Sequence, residues 1–578
     1  VNITRARQAL KEHWGYDDFR KSQRAVIELA LADNDVIAVL PTSAGKSACF
    51  QIPALLKDGG AIVITPLIAL MKDQVDDCAR RRVPATYINS HVDDDERAER
   101  IADFIAGRYK LLYVAPERFN SKTFLTDIAR AQVSYVVCDE AHCCSEYGHD
   151  FRPDYMRINR LVKALTRKGG ERPPILALTA TATSKVVEDI RSSLGMRPDF
   201  AMVVADPIRP NIKYVVEDAA EGASFRLLGE WVRGLDPGGR HIVYTCTRSA
   251  AEKAVEAVKR ERGGGLAAFY HAGMNKDERE RVQNEFKSGA TPIVCATIAF
   301  GMGVDVPNIR TVINLGIPGS IEAMVQQCGR AGRDGLPSVA VLIVDAWSIN
   351  FQFTLIEEEN PPWRLYGVVW EWLHRMMGPG EVLKRTLVTI AEAVTTDMRE
   401  KVTPAQVGGI LSAMHSKALI EKRPVDAGTP IVIDAVLFER SLRELTQPQL
   451  RKVAEMLWVR YVKPYTLEHP TERLVHIHVN KQAVREQAGV SVHIFDKALL
   501  MLTGRGIVEV QQTYTGNQIT ILQWRADLEL FLSRATIEAK RALDVARLRA
   551  MVEFTRLETE DARNAFIRQY FLAPPSET

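Results

Sequence analysis

Residues 136–155 read VVCDEAHCCSEYGHDFRPDY. The first half is a short apolar run with strand character that ends in Asp139 and Glu140. The second half is a polar loop carrying Tyr147, His149, Phe151 and Arg152. Paired carboxylates at a strand end are where a nucleotide-hydrolysing fold holds a metal ion and an attacking water. A loop that then presents aromatics and an arginine suits contact with a nucleic acid. The segment therefore reads as a coupling element between the two events.

The same format extends upstream. DVIAVL (35–40) is a short apolar strand, PTSAGKS (41–47) a loop, and ACFQIPALL a helix-prone run. This is the context of a phosphate-binding loop, in which backbone amides and the helix N-terminus face phosphate oxygens. Thr42 and Gly45 belong to the loop, Lys46 neutralises terminal phosphates and Ser47 ligates magnesium. The first glycine of the general pattern falls at Leu40, so the match is partial. Before the loop, Tyr16, Arg20 and Gln23 suit stacking on a base and reading its edge, or equally a helix-packing turn. AIVITPL (61–67), LLYVAPER (111–118) and LALTATAT (176–183) repeat the strand-then-polar-loop pattern, separated by helical segments. Such alternation specifies a parallel α/β sheet with its active edge at the strand C-termini. The hydroxyls of LTATAT suit a relay between nucleotide and strand, or form only a threonine-rich turn.

A second cycle begins near Ala205, with HIVYT (241–245) and PIVCAT (292–297) as its clearest strands. Arg330 and Arg333, three apart on a helix, share a face. From a second domain they would clamp a phosphoryl group in its transition state.

Composition excludes little. The chain has 578 residues, 46% hydrophobic and 25% charged, with a net charge of +3. That length exceeds one hydrophobic core, and any polyanion site must be local rather than global. No apolar run approaches a membrane span, and VNITRARQALKEHW lacks the pattern of a secretory signal. We expect no membrane partner and a cytoplasmic location, nucleoid-associated if the source is bacterial. The eight cysteines lie at or before Cys328 without C-x-x-C pairs, which argues against disulfides and a four-cysteine zinc site. His142, Cys143, Cys144 and His149 read as loop lining in preference to a metal cluster.

Taken together and in order, GYDDFRKSQ, PTSAGKS, TPLIALMKDQV, YVAPER, DEAHCCSEYGHDFRPDY, LTATAT, YHAGM, ATIAFGMGVDVPNIR and QQCGRAGRDGLP resemble the RecQ family of superfamily 2 DNA helicases over residues 14 to about 345. The resemblance implies two RecA-like domains using ATP and Mg2+, and an enzyme moving 3′ to 5′ on single-stranded DNA while opening duplex DNA in repair or recombination. By that resemblance Tyr16, Arg20 and Gln23 contact adenine, and Lys46 and Ser47 bind phosphate and magnesium. Asp139 coordinates the metal through water, Glu140 orients or deprotonates the attacking water, and His142 couples the domains. Arg330 and Arg333 act in trans, and Asp305 joins the nucleotide-binding set. Tyr147, His149, Phe151 and Arg152 fall in the loop that senses DNA.

Departures are clear. Ser43 and Ala44 stand where the family shows glycines, Glu146-Tyr147 where Gln and Trp are common, and Met324-Val325 where a tyrosine pair is usual. The zinc-binding cysteines are missing after Asp345, so no zinc is expected. Residues 540–570 resemble the helical hairpin of that subdomain, with Arg563, Tyr570 and Phe571 matching and Ala562 in place of a ligating cysteine; an ordinary amphipathic helix pair is the alternative.

The fold class expected is α/β: two RecA-like parallel-sheet domains followed by winged-helix-like (α+β) and helical accessory domains. The domain ranges are 1–205, 206–346, 347–445, 446–535 and 536–578. In the first winged segment Thr403-Pro404 opens a helix, and a turn at 426–428 joins two strands. In the second, the expected hairpin tip at 513–517 places Tyr514 as a wedge stacking on the terminal base pair. An RNA helicase, a protein-stripping translocase and an ATP-controlled scaffold remain alternatives.

Overall fold

A computed structural model of the chain describes residues 2–41, 44–66, 68–89, 92–145, 152–166, 171–263, 265–301, 306–425, 429–445, 447–468, 473–479, 484, 487–490, 492–510 and 516–572. It divides into two compact units, Val1–Thr354 with Leu543–Thr578, and Leu355–Ala542.

The first unit holds two parallel sheets. One is built from β1 (Val36–Val39), β2 (Gly60–Ile64), β3 (Ala85–Ile88), β4 (Leu111–Val114), β5 (Val133–Cys138), β6 (Ile175–Thr179) and β7 (Ala201–Val204), in the order β3-β4-β2-β5-β6-β1-β7. The other uses β8 (Ile212–Asp218), β9 (Arg240–Thr245), β10 (Ala267–Tyr270), β11 (Ile293–Ala296), β12 (Ile309–Leu315) and β13 (Ser338–Val344), in the order β10-β11-β9-β12-β13-β8. The two parallel-sheet halves expected from the sequence are therefore present. Their central strands read as unbroken apolar runs because both faces are covered. Along β1, Ile37 and Val39 pack into one core while Val36 and Ala38 pack into the core on the opposite face. All ladder pairs are parallel, so the strand C-termini of each sheet share one edge.

The C-terminal helices complete the second sheet. Met551 and Phe554 of the helix Arg534–Thr555, with Ile567 and Phe571 of Glu560–Leu572, share one apolar cluster with Ile212, Tyr214 and Val312. Burying each such side chain contributes roughly 1.5–3 kcal/mol. Arg563 donates to the Tyr214 carbonyl at 3.1 Å, and Tyr570 donates to Glu322 at 3.0 Å.

The second unit contains two small antiparallel sheets. Its strands are β14 (Val382–Arg385), β15 (Ile420–Val425), β16 (Thr429–Asp434), β17 (Leu474–Val479), β18 (Val508–Val510) and β19 (Gly516–Ile521), ordered β14-β19-β15 and β17-β16-β18. Thr403 caps the helix Pro404–Ser416 with Gln406 in a reciprocal capping box, as the Thr-Pro pair implies. Among the described residues the two hairpins expected from the sequence are not formed. β15 pairs with β19 rather than with β16, and β16 pairs with β18 rather than leaving it to β19. Each third strand thus serves the other module: Ile519 and Ile521 enter the core of the first, Ile431 and Ile433 that of the second. Alternation dictates which face of a strand is buried but not which of two similar partners it meets. Tyr514 lies outside the described residues. Among the described residues no helix is long and apolar enough to cross a membrane.

Candidate nucleotide and nucleic-acid site

The site grows from the C-terminal edge of the first sheet. After β1, the Leu40 amide continues the ladder to the Thr179 carbonyl at 2.9 Å, and the chain turns so that Gly45 caps the helix Lys46–Leu56 with φ +77°. Glycine is required there twice over. Its backbone is left-handed, and an added Cβ would lie 2.2 Å from Gln23 Nε2. Gln23 explains the closeness: its amide donates to the Ala44 carbonyl at 2.9 Å and the Gly45 carbonyl at 3.3 Å, while its Oε1 accepts from the Arg20 amide at 2.9 Å. Gln23, expected to contact the base, also braces the phosphate loop. Tyr16, just beyond the left-handed Gly15, is 65% exposed. Ser47 stands exposed in the first turn of the helix, and Thr42 lies outside the described residues.

Lys46 Nζ is buried, makes no hydrogen bond, and sits 3.6 Å from Glu140 Oε1. An ammonium held so at a helix N-terminus is suited to a multiply charged anion. Asp139 continues β5 through its amide to the Ile64 carbonyl at 2.9 Å. Burial, then repulsion from Glu140, pushes its carboxyl up to about 6 against the opposing pull of Lys46. Glu140 adopts φ +48°, ψ +48°, a left-handed conformation rare for a residue with a side chain. This backbone turns consecutive carboxylates into one cleft, and Glu140 Oε2 is buried there without a hydrogen-bond donor.

Behind the carboxylates is a short relay. Thr179 Oγ1 gives its proton to the Thr181 carbonyl at 2.9 Å, so His142 Nδ1, 3.0 Å away, donates to that hydroxyl. His142 Nδ1 also lies 3.5 Å from Glu140 Oε2. The DEAH histidine and the LTATAT threonine are therefore in contact. The loop after DEAH is anchored at both ends: Ser145 donates to Asp189 at 2.5 Å, and Arg152 Nη1 donates to the Pro66 carbonyl at 2.9 Å. Arg152 so ties the loop to the Thr65-Pro66 turn, and the Tyr155 hydroxyl closes it on the Asp139 carbonyl at 3.0 Å. Tyr147, His149 and Phe151 lie outside the described residues, as does Asp305.

From the second sheet, the helix Ile321–Cys328 runs into the turn that carries Arg330 and Arg333. Arg330 is only 7% exposed and donates to the Gly301 carbonyl. Burial weakens its hold on the proton, opposed by Tyr244 and by the charge of Glu140 across the cleft. Glu140 is thus close enough for its charge to act on Arg330. The sequence reading missed Arg209, whose guanidinium binds the backbone of this turn; a lone arginine before a proline carries no local pattern to reveal it.

Comparison with known proteins agrees with this arrangement. The DEAD/DEAH box helicase family matches residues 20–190, and the helicase conserved C-terminal domain matches residues 224–335. The chain is 39% identical over 361 residues to a probable ATP-dependent DNA helicase RecS of Bacillus subtilis, covering 62% of this chain and 70% of that one. It is 40% identical over 362 residues to the ATP-dependent DNA helicase RecQ of the same organism, covering 62% of this chain and 59% of the relative. The RecQ helicase of Haemophilus influenzae is 39% identical over 365 residues, 62% of this chain and 56% of its own length. The chain thus spans less than two thirds of either RecQ relative. Among solved structures, the DUF1998 helicase MrfA bound to DNA superposes with a TM-score of 0.51 at 20% identity, over 61% of this chain and 50% of that chain, a likeness of fold alone.

Proposed function

The chain belongs to the RecQ family of superfamily 2 ATP-dependent DNA helicases, and from that premise we propose that it hydrolyses ATP with magnesium to move 3′ to 5′ along single-stranded DNA and open duplexes in repair or recombination. Single-stranded and duplex DNA are its partners in this reading, and no zinc is used. The observation that carries it is the pairing at one sheet edge of Lys46 with Glu140, 3.6 Å apart, with Lys46 Nζ and Glu140 Oε2 both buried and without a hydrogen bond.

Bound magnesium–ATP would supply the phosphoanhydride and the cation that offsets charge developing on its oxygens. The residues present fit it. The amides at Gly45 and the helix N-terminus would receive the phosphates, Lys46 would carry the compensating charge, and Ser47 and Asp139 would hold the metal. Glu140 would orient the attacking water and accept its proton. Tyr16 would stack on adenine beside Arg20, with Gln23 bridging base and phosphate loop, and Thr42 and Asp305 would complete the nucleotide contacts. Arg330 and Arg333 would close on the transferred phosphoryl group. The relay from Glu140 through His142 to Thr179 supports coupling of hydrolysis to the strand-binding loops. Tyr147, His149, Phe151 and Arg152 would sense that strand, and Tyr514 would meet the duplex end.

The test is ATP hydrolysis with and without single-stranded DNA. The native chain is expected to be strongly stimulated, Lys46→Ala to lose nucleotide binding, and Glu140→Gln to bind but turn over about 100-fold or more slowly. Hydrolysis indifferent to DNA would favour an ATP-controlled scaffold and overturn the reading.

A further inference from the structure

The segment joining the two sheets, between β7 and β8, contains Arg209. Its guanidinium Nη1 donates to the Gly329 carbonyl at 2.9 Å and the Ala331 carbonyl at 2.7 Å, and its Nη2 donates to the Gly332 carbonyl. Asn211 follows suit, giving Nδ2 to the carbonyls of Gly332 and Leu336, each at 2.9 Å. These acceptors are the backbone of the turn that carries Arg330 and Arg333. Gly332 has φ +55°, and a Cβ there would lie 2.5 Å from Asn211 Nδ2, so the linker is packed directly on the turn. The turn also follows the end of the helix Ile321–Cys328, where carbonyls lack intrahelical partners and carry the negative end of the helix dipole. Left open, those carbonyls would compete for the guanidinium groups of Arg330 and Arg333.

We infer that Arg209 is a positioning residue for hydrolysis: from the interdomain linker it locks the Gly329–Gly332 turn, so that the paired arginines face the nucleotide cleft rather than their own backbone. Desolvation, then the charge of Arg333, lowers its proton affinity, opposed by Tyr214. A planar fork reaching several carbonyls is a task for arginine that a lysine, with one compact ammonium, performs only in part. A linker residue holding the turn ties the placement of the arginine pair to the relative position of the two sheets, which is the quantity a closing cleft changes.

The inference rests on the assignment of Arg330 and Arg333 to the transferred phosphoryl group, and one set of kinetics separates the two. Steady-state ATP hydrolysis at saturating single-stranded DNA is compared for Arg209→Ala, Arg209→Lys, Arg330→Ala and the Arg209→Ala/Arg330→Ala double variant. Arg209→Ala is expected to lower kcat by about 10- to 100-fold with KM for ATP changed less than about threefold. Arg209→Lys should fall between it and the native chain. In the Arg330→Ala background, Arg209→Ala should cost clearly less than it does in the native chain, because the part of its effect that runs through Arg330 is already gone and only the part through Arg333 remains. Native kcat in Arg209→Ala, a change confined to KM, or losses that multiply in the double variant would overturn the inference. Native kcat in Arg330→Ala would instead overturn the assignment of the arginine pair. Should Arg209→Ala fail to fold, Arg209→Lys with and without Arg330→Ala makes the same comparison, with an expected loss of about tenfold.

Discussion

Removing Arg547 tests the claim that the C-terminal helices are part of the second parallel domain. Arg547 Nε lies 3.4 Å from Glu322 Oε1, with the side chains only 7% and 4% exposed. Tyr570 donates to the same oxygen at 3.0 Å, and Arg547 also reaches Asp544 at 3.3 Å. Deleting one partner of a buried pair costs about 3–5 kcal/mol, because the other charge stays desolvated. Arg547→Met should therefore destabilise this region by about 3–5 kcal/mol. Adding Glu322→Gln should recover most of that, since Gln still accepts from Tyr570 and leaves no buried charge. The assay is amide hydrogen exchange along Glu560–Leu572 and β8, where local opening reads the free energy directly even though a chain of several domains does not unfold in one step. A loss below about 0.5 kcal/mol, or equal losses in the single and double variants, would refute the reasoning.

Three further outcomes follow from the geometry. Asp139, pushed up to about 6 by burial and then by Glu140, is ionised at neutral pH at a cost of no more than about 3 kcal/mol, since it retains some solvent contact. Asp139→Asn should thus raise the melting temperature of the nucleotide-free protein above pH 6, and the gain should shrink as pH falls through about 6 and vanish below the ordinary value of 3.8, where native and unfolded carboxyls are both protonated. Asp35 is desolvated, yet Arg172 at 3.0 and 2.5 Å and the amides of Arg197 and Ile175 hold its carboxyl below the usual range. Asp35→Ala should destabilise the first domain by about 3–5 kcal/mol in denaturant titrations. Its contribution should be complete above the ordinary carboxylate range and disappear as acid titrates it through its lowered value. Gly45→Ala strains a left-handed backbone and displaces Gln23, so calorimetry should show ATP affinity falling by about tenfold or more, with stability lowered by about 1–3 kcal/mol.

The parallel halves were legible because doubly covered strands write continuous apolar runs, and AIVI, LLYV and LALT each sit where such a strand forms. Lys46, Asp139 and Glu140 were legible because their chemistry depends on local backbone geometry at a strand end. What stayed hidden is long-range. Asp35 and Arg172 are 137 positions apart, and nothing near either announces the other. The hold of Gln23 on the phosphate loop stayed hidden because its 21-residue reach to the Ala44 carbonyl has no local signature. The exchanged third strands show the same limit: PIVID and NQITI alternate alike, and only packing chooses which sheet each one joins.

Strand displacement from duplexes tailed on one side tests the central claim most directly. With ATP and magnesium, the account predicts release of the strand from 3′-tailed duplexes, none from 5′-tailed or blunt ones, and none in Glu140→Gln, which should still bind both nucleotide and tail. Equal displacement from both tails, or displacement undiminished in Glu140→Gln, would contradict a 3′ to 5′ motor driven by hydrolysis at the Asp139–Glu140 edge.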